Sequence, residues 1–443
     1  MFSLALALIL TSSLADAPGP EVRVEEAVAT CEPPSNGAGP LWCYGAPLLV
    51  RQGDSVFVSV METGKDVPPL SNTRWRLFGR KDDAAGWTLI RRPDEFRHRE
   101  PCPLVGPRAG QLVLSVNPST EPPGTKYGRC RPHLLRFETA RPDDTPAEVP
   151  LWGPTAAHFT DHSYRGIAAD AGRGEVLALN IDATTSLQHW ALVAADGPVI
   201  RTGTIAFPIR ACYPQVALRD RAAHVLAIGD IVEPNEAWRT LKKQKTGREW
   251  DYVFRRLFYA STPDLTRGEF SAPVEVDTVD ATGGHITNLD LGLDAKGHAH
   301  LLYLKTTSTP IVRDREFPGR PIVTTLEHVE MTDGKVVRRS TLATGGEGAR
   351  ETVQYARFHA TSDGALHVVA SVSGARPDGA SFHENRIMGV GPDGPPVRLP
   401  LKTPFSMFFT AAERGGSPPS DTLDLFGIAG DGRTLRYARV RLR

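Results

Sequence analysis

Seven recurrences of an apolar strand, an Asp- or Gly-bearing turn and a second apolar strand predict an all-β protein folded as a seven-bladed β-propeller. Two further observations support that reading. Of the 443 residues, 41 are Gly and 37 are Pro, and the combined share of about 18% exceeds the roughly 12% of an average protein, favouring many short strands over long helices. Both ends of the chain also read as strands, EVRVEEAVA from Glu21 and YARVRLR at the C-terminus, which suits closure of a ring by pairing its two ends. A two-domain β-sandwich is the competing architecture.

In chain order the units are YGAPLLVRQGDSVFVSVME from Tyr44, LVGPRAGQLVLSVNP from Leu104 and HSYRGIAADAGRGEVLALNI from His162. There follow CYPQVALRDRAAHVLAIGD from Cys212, HITNLDLGLDAKGHAHLLYL from His285, YARFHATSDGALHVVASVS from Tyr355 and FSMFFTAAERGGSPPSDTLDLFGIAG from Phe405. Stretches such as HVLAIGD and HAHLLYL alternate with the period of a strand, and the turn signals are too closely spaced for helices. The spacing, about 60 residues per unit against 40 to 50 in well-known propeller repeats, leaves room for insertions. The largest insertion, at about 232–250, has Pro234 near its start, helix formers through Lys245 and Gly247 near its end, and predicts a short helix. Its run from Lys242 to Lys245 reads as a solvated face, or alternatively as part of a lid.

The apolar run Leu4–Leu10, followed by small and polar residues, has the length of a signal-peptide core and is too short to span a bilayer. Residues 1–17 are therefore expected to be a signal peptide, 18–443 a single propeller domain, and the protein secreted or periplasmic without a membrane anchor. Cys31 with Cys43 and Cys102 with Cys130 are the simplest disulfides for such a compartment, leaving Cys212. The cysteines lack metal-site spacing, so neither a metal nor a cofactor is expected. Charges balance at 51 basic and 51 acidic residues with no basic cluster, which excludes a general pull toward nucleic acid. A monomer is expected.

Residues that recur at one rung of a repeat are read as structural. His224, His298 and His367 each stand four residues after Asp220, Asp294 and Asp363, and are assigned to blade architecture; His298 and His300 share a strand face that suits a metal, as the weaker reading. Residues that change from unit to unit need another explanation. Aligned on Asp170, Asp220, Asp294, Asp363 and Glu413, the starts of the first strands carry His162, Cys212, Ile286, Tyr355 and Phe405, then Tyr164, Pro214, Asn288, Arg357 and Met407 two residues on. These positions should ring the mouth of the central channel. There the candidate set is His162, Tyr164, Arg165, Tyr213, His285, Asn288, Tyr355 and Arg357, with Tyr252, Arg255 and Arg256 from DYVFRR, where alternation lets only one arginine face inward.

Two segments, RKDDAAGWTLI from Arg80 and YASTPDLTRGEFSAPVEV from Tyr259, resemble the Asp-box hairpins of sialidase-like, BNR-repeat propellers, which turn at a blade's outer rim. YGAPLLVRQGDSVFVSVME resembles the first sialidase strand, but Gly45 stands where that family has the arginine that holds the sialic acid carboxylate, which argues against sialidase activity. The stretch from about 158 to 428 is similar to exported bacterial BNR-type proteins of unassigned activity, and more distantly to ulvan lyases. That resemblance implies an acidic, uronate-containing polysaccharide as partner and cleavage by β-elimination, with Tyr213 or His162 as base and acid and Arg256, Arg357 or Asn288 on the carboxylate. A sialidase-like hydrolase would need a pair of carboxylates or a tyrosine nucleophile, and Asp161, Glu233, Asp251 and Asp290 form no recognisable pair. A non-catalytic glycan- or protein-binding propeller is the third reading.

Overall fold

The computed structural model describes residues 19–42, 45–81, 86–153, 155–160, 164–249, 251–391 and 394–442. Their strands form seven four-stranded antiparallel sheets and one short two-stranded ribbon, Ile231–Val232 with Tyr252–Val253. The first strand of each blade lies innermost, beside the first strands of its neighbours. From blade I to blade VII these inner strands are Leu49–Gln52, Leu104–Arg108, Gly166–Asp170, Ala211–Arg219, His285–Leu293, Glu351–Ala360 and Phe405–Thr410. Each opens one of the seven units read in the sequence.

The ring closes as its ends suggest. Glu21–Thr30 pairs antiparallel with Thr434–Arg441, from Glu21 opposite Arg441 to Thr30 opposite Thr434, and forms the outermost strand of blade VII. Closure joins the first and last segments of the chain in one sheet, so no blade is left with only three strands.

Each blade buries apolar residues against its neighbours. Ala168, Leu177 and Leu192 of blade III pack with Val216, Val225 and Ala260 of blade IV, and Ile167 and Ala178 of blade III pack with Val113 and Leu134 of blade II. The inner hairpin turns also link blades. Asp170 accepts from Gly172 N and Arg173 N through Oδ1, folding its own turn, and from Asp220 N of blade IV through Oδ2 at 2.6 Å.

The insertion in blade IV contains helix α1, Glu236–Thr246, capped by the Asn235 side chain on Trp238 N and ended by Gly247 at φ 67°. Within its lysine run Lys242 is buried, whereas Lys243 is exposed and pairs with Glu249. Lys242 Nζ lies 2.8 Å from Glu233 Oε2, and Arg255 grips the same carboxylate through Nη1 at 2.9 Å and Nη2 at 2.5 Å. This network ties α1 to the blade, and the Arg255 guanidinium also covers the Trp238 ring at 5.2 Å. A second helix, α2 (Pro310–Glu316), lies beside α1. Among the described residues no helix is long and apolar enough to cross a membrane.

The expected Cys102–Cys130 bridge does not form. Cys102 is a buried free thiol 3.8 Å from His98 Nδ1, and Cys130 Sγ donates to Thr160 O at 3.0 Å. Cys31 is likewise a thiol, donating to Met61 O, and burial pushes its pKa up to about 11. Cys43 and residues 1–17 lie outside the described residues.

Candidate functional site

The site is built around a kink in the inner strand of blade IV. The ladder between Ala211–Arg219 and Ala222–Gly229 breaks register between Cys212 and Gln215, and Tyr213, just before Pro214, adopts φ 50°. For a bulky residue this left-handed conformation costs about 1–2 kcal/mol. Blade V supports it: Asn288 Nδ2 donates to Tyr213 O at 2.7 Å, while Gln215 Nε2 donates to Asn288 O at 3.1 Å. The Tyr213 ring is thereby set edge-on to Tyr164 at 4.6 Å, with Phe254 at 5.9 Å and Trp42 at 6.1 Å.

Above this cluster opens a cavity of about 750 Å³, bordered by Tyr164, Tyr213, Tyr252, Trp42, Tyr127 and Arg210, with Asp230 and His158 also on its wall. Arg210 and Asp230 flank the same hairpin. Asp230 N donates to Arg210 O at 2.9 Å, and Arg210 Nη1 donates to Asp230 Oδ2 at 2.7 Å and to Asp230 O at 3.1 Å. The guanidinium covers the Tyr164 ring at 5.1 Å and the Tyr252 ring at 5.7 Å, both within cation–π range. Burial lowers the pKa of Arg210, but Cys212, Asp230 and Tyr164 outweigh it and hold the group charged. Burial and the Asp230 carboxylate push the Tyr164 phenol well above its usual range, outweighing Arg210, so Tyr164 keeps its proton.

A second hollow of about 520 Å³ adjoins the first, sharing Tyr252 and Phe254, and is lined by Arg255, His285, Lys242 and Asp251 among others. The His285 ring stands edge-on to Phe254 at 5.7 Å.

The structure thus brings Tyr164, Tyr213 and Tyr252 to one cavity and Arg255 and His285 to its neighbour. It places four other sequence candidates inside the protein. Arg165 donates to Ser115 O and Pro101 O and joins blades II and III. Asn288 is fully buried beneath Tyr213. Arg357 lies inside the ring, donating to Leu289 O and Tyr355 Oη at 2.5 Å each, 3.5 Å from Asp290. Tyr355 is buried with it, and burial raises the pKa of its phenol despite Arg357. Arg256 sits on the opposite side of its strand from Arg255, as alternation requires, and pairs with Glu275 at 2.5 Å. His162 lies outside the described residues.

The channel itself is plugged. Asp290 Oδ1 meets Arg414 at 3.0 Å as well as Arg357, and Arg414 Nη1 donates to Gly45 O at 2.8 Å. A Cβ on Gly45 would stand 3.0 Å from Pro214 O. The position aligned with the sialidase arginine is therefore closed by backbone contact as well as by residue type.

Arg210 and Asp230 were absent from the sequence candidates. The alignment held the signal one step further: ten residues before Asp170, Asp220 and Asp294 stand Thr160, Arg210 and Gly284, and each borders one of the two hollows. Trp42 and Tyr127 come from irregular segments and carry no repeat signal.

No family model matches the chain, and no curated protein matches it in sequence. Solved structures share its fold. An ulvan lyase of polysaccharide lyase family PL25, bound to -[GlcA(1-4)Rha3S]-, is similar with a TM-score of 0.54 and 12% identity over 94% of this chain and 95% of that one. The polysaccharide lyase Uly1 is similar with a TM-score of 0.51 and 9% identity over 90% of each chain. At such identities the likeness is one of fold, a distant β-propeller relationship.

Proposed function

We propose that this propeller binds acidic, uronate-containing polysaccharide in the aromatic cavity of blades III and IV and cleaves it by β-elimination. The observation that carries the reading is the pairing of aromatic walls with a buried-anchored cation: Tyr164, Tyr213, Tyr252 and Trp42 around Arg210 in about 750 Å³. That volume lies in the ordinary range of small-molecule sites. Aromatic faces suit sugar rings, and a guanidinium suits a carboxylate because its planar fork can bond it twice. That two polysaccharide lyases share the fold is consistent with this reading.

In the proposed reaction Arg210 holds the uronate carboxylate and stabilises the negative charge that develops when the adjacent carbon loses its proton. Tyr213, acting as the phenolate, takes that proton and becomes the neutral phenol. The released electron pair forms a carbon–carbon double bond, the glycosidic C–O bond breaks, and the leaving oxygen takes a proton from Tyr164, whose phenol stays protonated in its buried position. Asn288 acts as a positioning residue through the Tyr213 carbonyl.

Hydrolysis has less support. Among the described residues bordering the cavity Asp230 is the one carboxylate, and it is paired with Arg210, whereas the usual glycosidase needs two. The test is incubation with uronate polysaccharides under ultraviolet detection. Elimination yields an absorbing unsaturated uronate. New reducing ends without absorbance select hydrolysis, and saturable binding without turnover selects a binding protein.

A further inference from the structure

The inner turn of blade V, at the far end of the strand that begins with His285, carries a polar cluster that repeat architecture does not account for. Asp294 Oδ1 is used by the turn itself, accepting from Lys296 N and His298 N. Its Oδ2 faces the other way, 3.4 Å from His298 Nδ1 and 3.7 Å from His300 Nε2. Glu330, directly opposite His300 in the ladder, places Oε1 3.2 Å from His298 Nδ1. Behind them His300 Nδ1 and His328 Nε2 are hydrogen-bonded at 2.8 Å, and the two rings stack.

We propose that Asp294, His298 and Glu330, with water as the fourth ligand, form a divalent transition-metal site that takes Zn²⁺. Three observations converge. The ligand atoms of Asp294, His298 and Glu330 all lie within 4.8 Å of one another. Bonds of about 2.0–2.1 Å in a tetrahedron put neighbouring ligands about 3.3 Å apart, and His298 Nδ1 stands 3.2 Å from Glu330 Oε1 and 3.4 Å from Asp294 Oδ2.

The second observation is that His300 Nε2 is buried and makes no hydrogen bond, its side chain being only 8% exposed, although it points at Asp294. If His300 Nδ1 donates to His328, Nε2 presents a lone pair to the Asp294 carboxylate, an arrangement that a cation held on that carboxylate would relieve.

The third is that only blade V carries this set among the three blades with the matching turn histidine. At the positions of His300 and Glu330, blade IV has Leu226 opposite Tyr259 and blade VI has Val369 opposite Ile387. His224 of blade IV instead hydrogen-bonds the Tyr259 hydroxyl at 2.6 Å. The His298 imidazole among the ligands favours Zn²⁺ over Mg²⁺ or Ca²⁺. Because the turn lies at the opposite end of the inner strand from the aromatic cavity, the metal is a structural clamp of blade V, independent of the polysaccharide reading.

The test uses full-length protein without an affinity tag, stripped with chelator and titrated with Zn²⁺. One equivalent is expected to bind, the thermal midpoint to rise by a few degrees through ligand linkage, and Co²⁺ to give the visible absorption of a four-coordinate site. His298→Gln and Glu330→Gln, both at partly exposed positions, should each weaken Zn²⁺ binding by at least about tenfold, with near-ultraviolet circular dichroism confirming that the variants are folded. Absence of saturable Zn²⁺ binding by the stripped protein, or stoichiometric binding unchanged in both folded variants, overturns the proposal and leaves His298 as a plain ion-pair partner of the two carboxylates.

Discussion

Replacing Asn288 by Ala isolates the support for the kinked strand beneath the cavity. The substitution removes a fully buried donor 2.7 Å from Tyr213 O, in a stretch where the ladder of blade IV is already broken. A buried carbonyl left without its donor costs about 1–3 kcal/mol. The left-handed conformation of Tyr213 costs about 1–2 kcal/mol more that the hydrogen bond no longer offsets, so the chain can recover part of the loss by relaxing the kink. The net destabilisation expected in equilibrium denaturation is about 1–3 kcal/mol. Relaxation also turns the Tyr213 ring away from Tyr164, and uronate oligosaccharide binding, measured by calorimetry, should weaken about tenfold, equivalent to about 1.4 kcal/mol. Asn288→Asp should be worse than Ala, since it sets a carboxylate against a carbonyl. A loss below about 0.5 kcal/mol together with unchanged binding would refute the assignment of Asn288 as the residue that positions Tyr213.

Other expectations concern charge and pH. Arg210→Lys keeps the charge beside Asp230 but loses the planar fork, so affinity for uronate oligosaccharides should fall about tenfold while that for a neutral oligosaccharide is unchanged; equal losses for both would point to packing alone. Arg256→Ala, removing a part-exposed ion pair with Glu275, should change stability by no more than about 1 kcal/mol and leave turnover intact. Burial holds His98 neutral down to about pH 3 and His224, His328 and His359 down to about pH 4. Unfolded histidines titrate near pH 6.5, so the unfolded chain binds more protons between about pH 6.5 and 4, and stability falls as pH falls through that window. Asp424, raised to about 6 by burial, binds its proton earlier in the fold and offsets one of these four. The remaining three correspond to a slope of up to about 4 kcal/mol per pH unit near pH 5, and a denaturation midpoint flat from pH 6.5 to 4.5 would contradict it.

The architecture was legible because a propeller repeats its constraints: each inner hairpin needs two apolar strands and a tight turn, and the sequence spells that seven times. The ring closure was legible for a similar reason, since EVRVEEAVA and YARVRLR alternate as partnered strands do. The site was only partly so. Aligning inner strands located Tyr164 and Tyr213, yet the same rule nominated Tyr355 and Arg357, which stabilise the plugged channel with Asp290 and Arg414. Position along an inner strand does not say whether a side chain points up into a mouth or across into the ring. Arg210 and Asp230 were missed because they flank the hairpin rather than lie within it, and Trp42 and Tyr127 because irregular segments have no period. The disulfide expectation failed since it used spacing along the chain, whereas the sulfurs of Cys102 and Cys130 face different partners in space.

The most direct test of the central claim is the ultraviolet absorbance of a panel of uronate polysaccharides incubated with the purified protein and with its Tyr213→Phe variant. A rise for the native protein that the variant abolishes while still binding substrate is the expected result. Saturable binding with no rise would contradict elimination, and neither binding nor a rise on any uronate polymer would contradict the assignment of the aromatic cavity itself.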